Sequence, residues 1–340
     1  MQNRTVIRHV LTHLLVPLFL GTGMALAYLG GFHQPSPHGV RVDVVGRSPE
    51  VRVLAQTLQD GLGDRVTVRT VGTEAEARTH LADQETSGAY VPDARRPVLM
   101  VATAASDTTA VTVERMFAPV ALRQGLPLEI TDVVPTHPSD PTGQGIFFYL
   151  VALTVGAYSS AIAIGVVGAR LPMRQRLALA ALAAGAVSLL STLVAGPLYD
   201  ALPSHVVAVG MLSWLYTGAI VVLGVGLHTF LGRFTTATLV ALFVMLNFTS
   251  SGGVFAPALQ PGFFGALHSF WIGSGLVEGG RKLLYFPELG IGREVLTISL
   301  WLAAGLTVAG AAVLVERRRA LPLPAADPAE EEIEEAVVAA

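Results

Sequence analysis

Residues 146–167 read IFFYLVALTVGAYSSAIAIGVV, and this stretch decides the class of protein. It contains no charged residue, and at roughly 1.5 Å per helical residue it is long enough to span a hydrocarbon core of roughly 30 Å. A helix of this length on the surface of a soluble protein would keep a polar face, and this one has none. The stretch therefore predicts a helix that crosses a membrane.

A purely basic segment, RLPMRQR at 170–176, follows this predicted span. Short loops on the cytoplasmic side of a membrane carry an excess of arginine and lysine. The span is therefore predicted to run from outside to inside, and its direction orients the segments before and after it.

The composition of the whole chain agrees with a membrane protein. The 340 residues are 52% hydrophobic and only 14% charged, and the mean hydropathy is +0.57. A typical soluble domain carries about 25% charged residues. There is no cysteine, which excludes disulfide frameworks, thiolate metal sites and cysteine nucleophiles.

Hydropathy predicts six membrane spans. They cover residues 10–32, 146–167, 177–198, 206–231, 234–256 and 295–315. Every short loop that this topology places inside is basic, so both termini are predicted to be cytoplasmic, in a multi-pass protein of the cell (plasma or inner) membrane. A cleavable signal peptide is the alternative for the first run, but the run is long for one and no A-x-A site follows it.

Between the first two spans, residues 33–142 have the composition of a soluble domain. Predicted strands, beginning with VRVDVVG at 40–46, alternate with predicted helices. The helices carry start signals: Ser48 before a proline, and Thr73 followed three residues later by glutamate. This alternation predicts a small α/β domain, and its place in the topology makes it extracytoplasmic.

The predicted fold class is thus an α-helical integral membrane protein with six transmembrane helices and an extracytoplasmic α/β domain inserted between helices 1 and 2. We divide the chain into four parts. They are the N-terminal cytoplasmic segment with helix 1 (1–32), the α/β domain (33–142), a five-helix membrane domain with an external hairpin at 257–294 (143–316), and a cytoplasmic acidic tail predicted to be disordered (317–340).

Small residues recur every four positions along the second span. They are Ala157, Ala161, Gly165 and Ala169. Such a face lets helix backbones approach closely in lipid, so it is a candidate helix-packing face. The alternative is chance, because an alanine-rich chain produces this spacing often.

Polar and charged residues near the predicted outer surface are candidates for a transport pathway or gate. They are Asn247, Thr249, Ser250, Trp271, Glu278 and Arg281. Polar groups at membrane depth are either paired or face water, so these residues could line a pathway. The alternative for the first three is hydrogen bonding between helices. The last three lie in a segment that reads as a re-entrant or surface hairpin, with an amphipathic surface loop as the alternative.

No catalytic motif is present. The sequence contains no H-E-x-x-H, no G-x-S-x-G and no paired carboxylates inside a span. A Walker A loop needs a lysine followed by serine or threonine, whereas the only lysine, Lys282, is followed by Leu283. The chain therefore cannot be its own P-loop ATPase. We expect no enzymatic activity, no cofactor, no metal and no nucleic-acid partner.

Three stretches carry a family resemblance. They are VDVVGRSPEVRVLAQTL at 42–58, LEITDVVPTHPSDPTGQGIFFYLVALTVGAYSSAIA at 128–163, and GGVFAPALQPGFFGALHSFWIGSGLVEGGRKLLYF at 252–286. In their order and topology, over most of residues 1–315, the chain resembles the type-2 ABC transporter permeases, and most closely the phage infection protein (YhgE/Pip-like) branch. It departs from that branch at Trp271-Ile272-Gly273, where relatives usually carry a further proline.

The resemblance implies a permease subunit that pairs with itself or a related permease and moves a hydrophobic or amphipathic compound outward. Energy would come from a separate ATP-binding cassette ATPase. Arg170, Arg174 and Arg176 form the candidate coupling loop for that ATPase, although arginines there also serve simply to set orientation. The alternative function is a membrane-anchored extracytoplasmic binding or envelope-organising protein without transport activity.

The topology can be tested in this naturally cysteine-free chain. A membrane-impermeant maleimide should label Asp60→Cys in intact cells, because the α/β domain is predicted to be outside. Arg174→Cys should be labelled only after permeabilisation. Labelling of position 60 that requires permeabilisation would contradict the predicted topology.

Overall fold

The computed structural model describes residues 2–320, and the acidic tail from residue 321 onward lies outside them. The chain is mostly helical, at 69%, with one five-stranded sheet among the described residues. Five helical segments are long and apolar enough to cross a membrane. They are Val6–Phe32, Gly145–Val167, Met173–Leu198, Val206–Ser250 and Gly292–Arg319.

Helix α7 lies at the centre of the helical bundle. The bundle helices are α1 (Gln2–Phe32), α5 (Gly145–Val167), α6 (Met173–Leu193), α7 (Val206–Leu231) and α12 (Gly292–Ala320). Helices α5, α6 and α12 all pack on α7, whose C-terminal half is buried on all sides over residues 219–226. Glycines allow this close approach, because the backbone at Gly226 faces that of Ala309 and Gly305 faces Leu223.

Side-chain contacts define the direction of each helix. Thr154 of α5 lies beside Tyr216 of α7 and Gly165 beside His228, so α5 and α7 run in the same direction. The backbone contacts between α7 and α12 show that α12 also runs this way. Helix α6 runs in the opposite direction, because Ser188 bonds to Gly210 and Thr217 bonds to Ala184.

The longest apolar segment, Val206–Ser250, folds as a helical hairpin. Helix α7 ends at Leu231, and Gly232 reverses the chain with φ of +50°, a left-handed conformation that favours glycine. The chain continues as α8 (Thr235–Val240), a π-helical stretch (Ala241–Leu246) and α9 (Asn247–Ser250). His228 contacts Thr235, and Tyr216 contacts Asn247, so residues 235–250 return antiparallel along α7.

The sheet has the order β2-β1-β3-β4-β5 and is mixed, with β4 antiparallel to β3. Its strands are β1 (Val40–Val45), β2 (Val66–Val71), β3 (Gly88–Val91), β4 (Val98–Val101) and β5 (Glu129–Asp132). Helices α2 (Pro49–Leu62) and α4 (Asp107–Arg123) cover one face, and α3 (Glu74–Ala82) covers the other. Both predicted caps are confirmed: Ser48 accepts from the Val51 amide and Thr73 from the Glu76 amide.

These strands and helices, residues 40–132, form what we term the sheet unit, and it rests on the segment after α9. The His38 amide donates to the Ala258 carbonyl at 2.7 Å, and Thr108 Oγ1 donates to the Val254 carbonyl at 3.0 Å. Leu259 is buried in the apolar core beneath α2 and α4. The sheet unit is therefore attached by both hydrogen bonds and apolar packing to one end of the bundle, which we term its outer end.

Helices α10 (Gly262–His268) and α11 (Ile272–Tyr285) form a second hairpin, which enters the bundle. At its tip, the Trp271 ring lies 5.1 Å from the Trp301 ring, well inside α12, and Gly273 faces Asn247. At the other end of α11, the Leu284 carbonyl accepts from Ser204, just before α7 begins. The tip is therefore level with the middle of the bundle, and α11 rises from there to its outer end.

A chain of buried side-chain hydrogen bonds joins α5, α7 and α9 at the same level. Asn247 Nδ2 donates to the Tyr216 hydroxyl at 2.8 Å, and that hydroxyl lies 2.5 Å from Thr154 Oγ1. All three side chains are buried. Because they are buried from solvent, these groups depend on one another and on the backbone for hydrogen bonds.

Tyr216→Phe should lower the free energy of unfolding by about 1–2 kcal/mol, because it leaves the buried Asn247 amide nitrogen without an acceptor. Unfolding in mixed micelles of increasing sodium dodecyl sulfate content would measure the loss. Tyr199→Phe is the matched control, since Tyr199 is exposed, and it should change little. Equal stability of the two variants would show that the bond contributes nothing.

Candidate functional site

The three polar residues of the predicted fifth span are buried and bonded. Thr249 Oγ1 and Ser250 Oγ donate to the carbonyls of Met245 and Leu246 in their own helix, each at 2.7 Å. Serine and threonine commonly satisfy themselves in helices this way. Asn247 bonds to Tyr216 across the bundle. These bonds favour the packing alternative, and a role of these residues in a pathway stays a prediction. Asn247 Oδ1 has no hydrogen-bond partner among residues 2–320.

Trp271 forms the tip of the α10–α11 hairpin and is only 7% exposed. Its indole Nε1 donates to the Leu242 carbonyl at 3.3 Å, in the π-helical stretch that follows α8. A π-helical stretch leaves carbonyls without their usual i+4 partner, and such bulges occur often at functional sites. Trp271 thus holds the hairpin tip between α12 and the 235–250 segment.

Glu278 and Arg281 belong to a larger group of charged side chains at the outer end of the bundle. We term this group the outer charge cluster: His268, Glu278, Arg281, Lys282 and Glu294. Arg281 Nη1 donates to Glu278 at 3.1 Å, and Lys282 Nζ donates to Glu294 at 2.8 Å. His268 Nδ1 donates to the Ser250 carbonyl at 2.9 Å. The cluster therefore connects the hairpin to both α9 and α12.

Most of this cluster is withdrawn from solvent. The Arg281 side chain is 6% exposed and donates a second bond to the Gly253 carbonyl, at 3.3 Å. Glu294 is 8% exposed, and its Oε2 has no hydrogen-bond partner in the part of the chain that the structure describes. Burying an ionised group is costly unless its hydrogen bonds are made. The cluster therefore retains an unused acceptor in a buried position.

Burial also affects His268. Removal from water is the main cause that lowers the pKa of its imidazole, and the charges of Arg281 and Arg293 lower it further. Glu278 and the bond to the Ser250 carbonyl oppose this change. At neutral pH the side chain is therefore uncharged, and it can donate from Nδ1 while Nε2 accepts.

Two cavities meet at the outer charge cluster. The larger, about 300 Å³, lies between the sheet unit and the hairpin. Arg41 and Ser106 line it from the sheet unit, and His268, Glu278 and Arg281 line it from the hairpin. The smaller, about 80 Å³, reaches Glu294 of α12 and shares His268 and Glu278 with the first. These two side chains therefore form the wall between a wide outer cavity and a narrow one beneath it.

The sequence predicted Glu278 and Arg281 as site residues, but it did not predict that His268 and Glu294 belong to the same site. His268 lies ten residues before Glu278, in a different helix, so no local spacing relates them. Glu294 lies in the first turn of α12, where an acidic residue is ordinary. The only sequence signal was that both are polar residues close to apolar segments.

The candidate helix-packing face of α5 packs against α7 of the same chain. Ala157, Ala161 and Gly165 are buried in the bundle, with Ala161 beside Gly224 of α7 and Gly165 beside His228. Ala169 lies beyond the end of α5 and is exposed. The small residues therefore allow α5 to approach α7 closely.

The candidate coupling loop divides into exposed and buried arginines. Arg170 and Arg174 are exposed, whereas Arg176 is 2% exposed. Arg176 donates to the Leu171 carbonyl at 3.0 Å and pairs with Glu316 of α12. The prediction that Arg176 offers a docking surface is therefore wrong, because its charge is used inside the protein to join α6 to α12.

No family model matches the sequence, and no curated protein matches it either. Within residues 2–320, no three histidine or acidic side chains converge in a way that could hold a metal ion.

The lowered pKa of His268 predicts a pH dependence of stability. Below the ordinary histidine pKa of about 6.5, the unfolded side chain takes up a proton that the folded one resists. The contribution of His268 to the free energy of unfolding should be fully present above that pH. It should be lost as the pH falls toward the pKa of His268 in the folded state. His268→Asn should make this slope shallower, as measured by thermal unfolding between about pH 8 and about pH 5.

The control for this experiment is His38→Asn, which removes an exposed histidine and should leave the wild-type slope unchanged. If stability depends on pH equally in the wild type and in His268→Asn, the pH dependence cannot be assigned to His268.

Proposed function

We propose that this chain is the permease subunit of an ABC-type exporter, related to the type-2 permeases, that moves a hydrophobic or amphipathic compound outward. The observation that carries the proposal is the α10–α11 hairpin. It enters the outer half of a helical bundle, carries a largely buried charge cluster, and is covered by the sheet unit. A domain that only needed anchoring would not require such an arrangement.

The proposed topology has six crossings, with the sheet unit outside, both termini cytoplasmic, and the chain in the cell membrane. The 45 residues of Val206–Ser250 would extend about 68 Å as one helix, roughly twice the hydrocarbon thickness. Two antiparallel crossings joined at Gly232 fit this length, and Arg233 at the turn favours the inner side. Helices α5, α6 and α7 alternate in direction, and α12 runs in the same direction as α7, as six crossings with the 235–250 segment between them require.

In this proposal the α10–α11 hairpin is the outer gate. Its glycines lie against neighbouring helices: Gly275 faces Ile298 of α12, and Gly280 faces Ile146 of α5. The Lys282–Glu294 pair and the Arg281–Gly253 bond hold it closed. Opening would exchange these contacts for water, which enters from the outer cavity, so the charged groups would not be left bare in lipid.

An apolar cavity supports the proposed class of cargo. It measures about 440 Å³ and lies between the outer halves of α5 and α6, lined by Phe148, Tyr149 and Leu190 among others. No charged residue lines it. Its volume lies within the usual range for small-molecule sites, and its lining suits a hydrophobic or amphipathic compound.

Energy would come from a separate ATPase, since the only lysine of the chain is followed by Leu283 and cannot belong to a P-loop. The exposed basic residues on the proposed inner side are the available docking points. They include Arg170, Arg174, Arg4 and Arg8. A second permease copy, identical or related, would complete the transporter.

The experiment that tests this function reverses the two exposed loop charges. Arg170→Glu together with Arg174→Glu should insert with the same topology, yet lose co-purification of the ATPase and ATP-dependent efflux of a fluorescent hydrophobic dye. Arg176 is left intact, because its replacement would break a buried ion pair. The matched control, Arg52→Glu with Arg95→Glu, makes the same charge change on the sheet unit and should retain both activities.

If neither the wild type nor the variants recover an ATPase or export the dye, while all insert normally, the anchor interpretation replaces the permease. A reversed topology in the loop variant, detected by the same cysteine labelling, would assign those arginines to orientation alone.

A further inference from the structure

A groove of about 540 Å³ runs between α2 and α4 on the surface of the sheet unit. The sheet explains why this groove exists. Strand β1 is parallel to β3, and β3 is antiparallel to β4, so the helices that follow β1 and β4 pack side by side in opposite directions. No other element of the described chain lies over the space between them.

The floor of the groove is apolar. It is formed by Leu54, Leu58, Leu62, Met116 and Val120. Leu58 is almost fully buried, whereas the other four keep part of their surface exposed to solvent. A concave apolar floor of this size, with a few polar groups at its edge, is the usual form of a small-molecule site.

The rim of the groove is positively charged. Arg65, Arg115 and Arg123 line it, and no carboxylate does. Among residues 2–320, none of the three forms an ion pair. Guanidinium groups bind carboxylates and phosphates with two parallel hydrogen bonds, so three uncompensated arginines around an apolar floor favour an anionic head group.

We propose that this groove binds a single-chain anionic amphiphile, a molecule with one alkyl or acyl chain and a phosphate or carboxylate head. The chain lies on the leucine and methionine floor, and the head bonds to the rim arginines. The site is distinct from the cavities at the outer charge cluster and between α5 and α6. The proposal therefore does not depend on the export function.

The orientation of α4 argues for a ligand that arrives through water rather than from the bilayer surface. The first turn of α4 touches the bundle, where Thr108 bonds to Val254. Arg123 is at the opposite end of the helix, about 22 Å away at 1.5 Å per residue. A head group fixed in the bilayer could reach only one end of the groove.

Cysteine protection in the full-length chain tests the proposal. Met116→Cys, in nanodiscs of phosphatidylcholine, should react with a water-soluble maleimide, and dodecyl phosphate should slow the reaction in a dose-dependent manner. The chain has no other cysteine to interfere. Ala75→Cys, exposed on α3 across the sheet, is the control position and should not be protected.

The head and the chain of the ligand are tested separately. Dodecanol, which lacks the charge, and butyl phosphate, which lacks the chain, should each protect far less than dodecyl phosphate. Arg115→Gln with Arg123→Gln should raise the half-protecting concentration about tenfold, because two exposed charge contacts are lost. Arg52→Gln with Arg95→Gln, which removes two arginines outside the groove, should not change it.

Four results would overturn the proposal. They are no protection at all, equal protection by dodecanol, protection unchanged by the rim substitutions, and protection by phosphatidylglycerol in the nanodisc without any added amphiphile. The last result would assign the arginines to contact with the bilayer surface.

Discussion

The structure depends on one constraint: a polar group inside a bundle of apolar helices is costly to bury unless it finds a partner within the protein. The Asn247–Tyr216–Thr154 chain meets this constraint for the Asn247 amide nitrogen and the two hydroxyls where α5, α7 and α9 cross, while Asn247 Oδ1 has no hydrogen-bond partner among the described residues. These bonds set the register in which the 235–250 segment returns along α7. That register in turn fixes where the α10–α11 hairpin can enter, since Gly273 lies directly against Asn247.

Local features of the fold could be predicted because their causes are local. The stretch that opened the sequence analysis was expected to be helical over 146–167, and α5 runs from Gly145 to Val167. Its apolar character alone determines this. The caps at Ser48 and Thr73 were visible for the same reason, since a capping side chain and the amide it accepts from lie three residues apart.

Features that join distant parts of the chain could not be predicted. Arg176 and Arg174 look alike in the sequence, and both obey the rule that places basic residues inside. Arg176 is buried where it pairs with Glu316, which lies far along the chain, whereas Arg174 is exposed. The outer charge cluster has the same origin, because His268, Glu278 and Glu294 belong to three different helices. Hydropathy patterns contain no information about such pairings.

The glycines of α11 have a consequence for how the chain is made. Four of its 14 residues are glycine, and each weakens an isolated helix by about 1 kcal/mol relative to alanine. Two of these glycines, Gly275 and Gly279, allow close contact with Ile298 and Glu294 of α12, which leaves the ribosome only after α11 has been synthesised. The side of α11 that packs on α12 is therefore uncovered when the helix emerges. We expect the α10–α11 hairpin to complete its packing only when the final helix has joined the bundle.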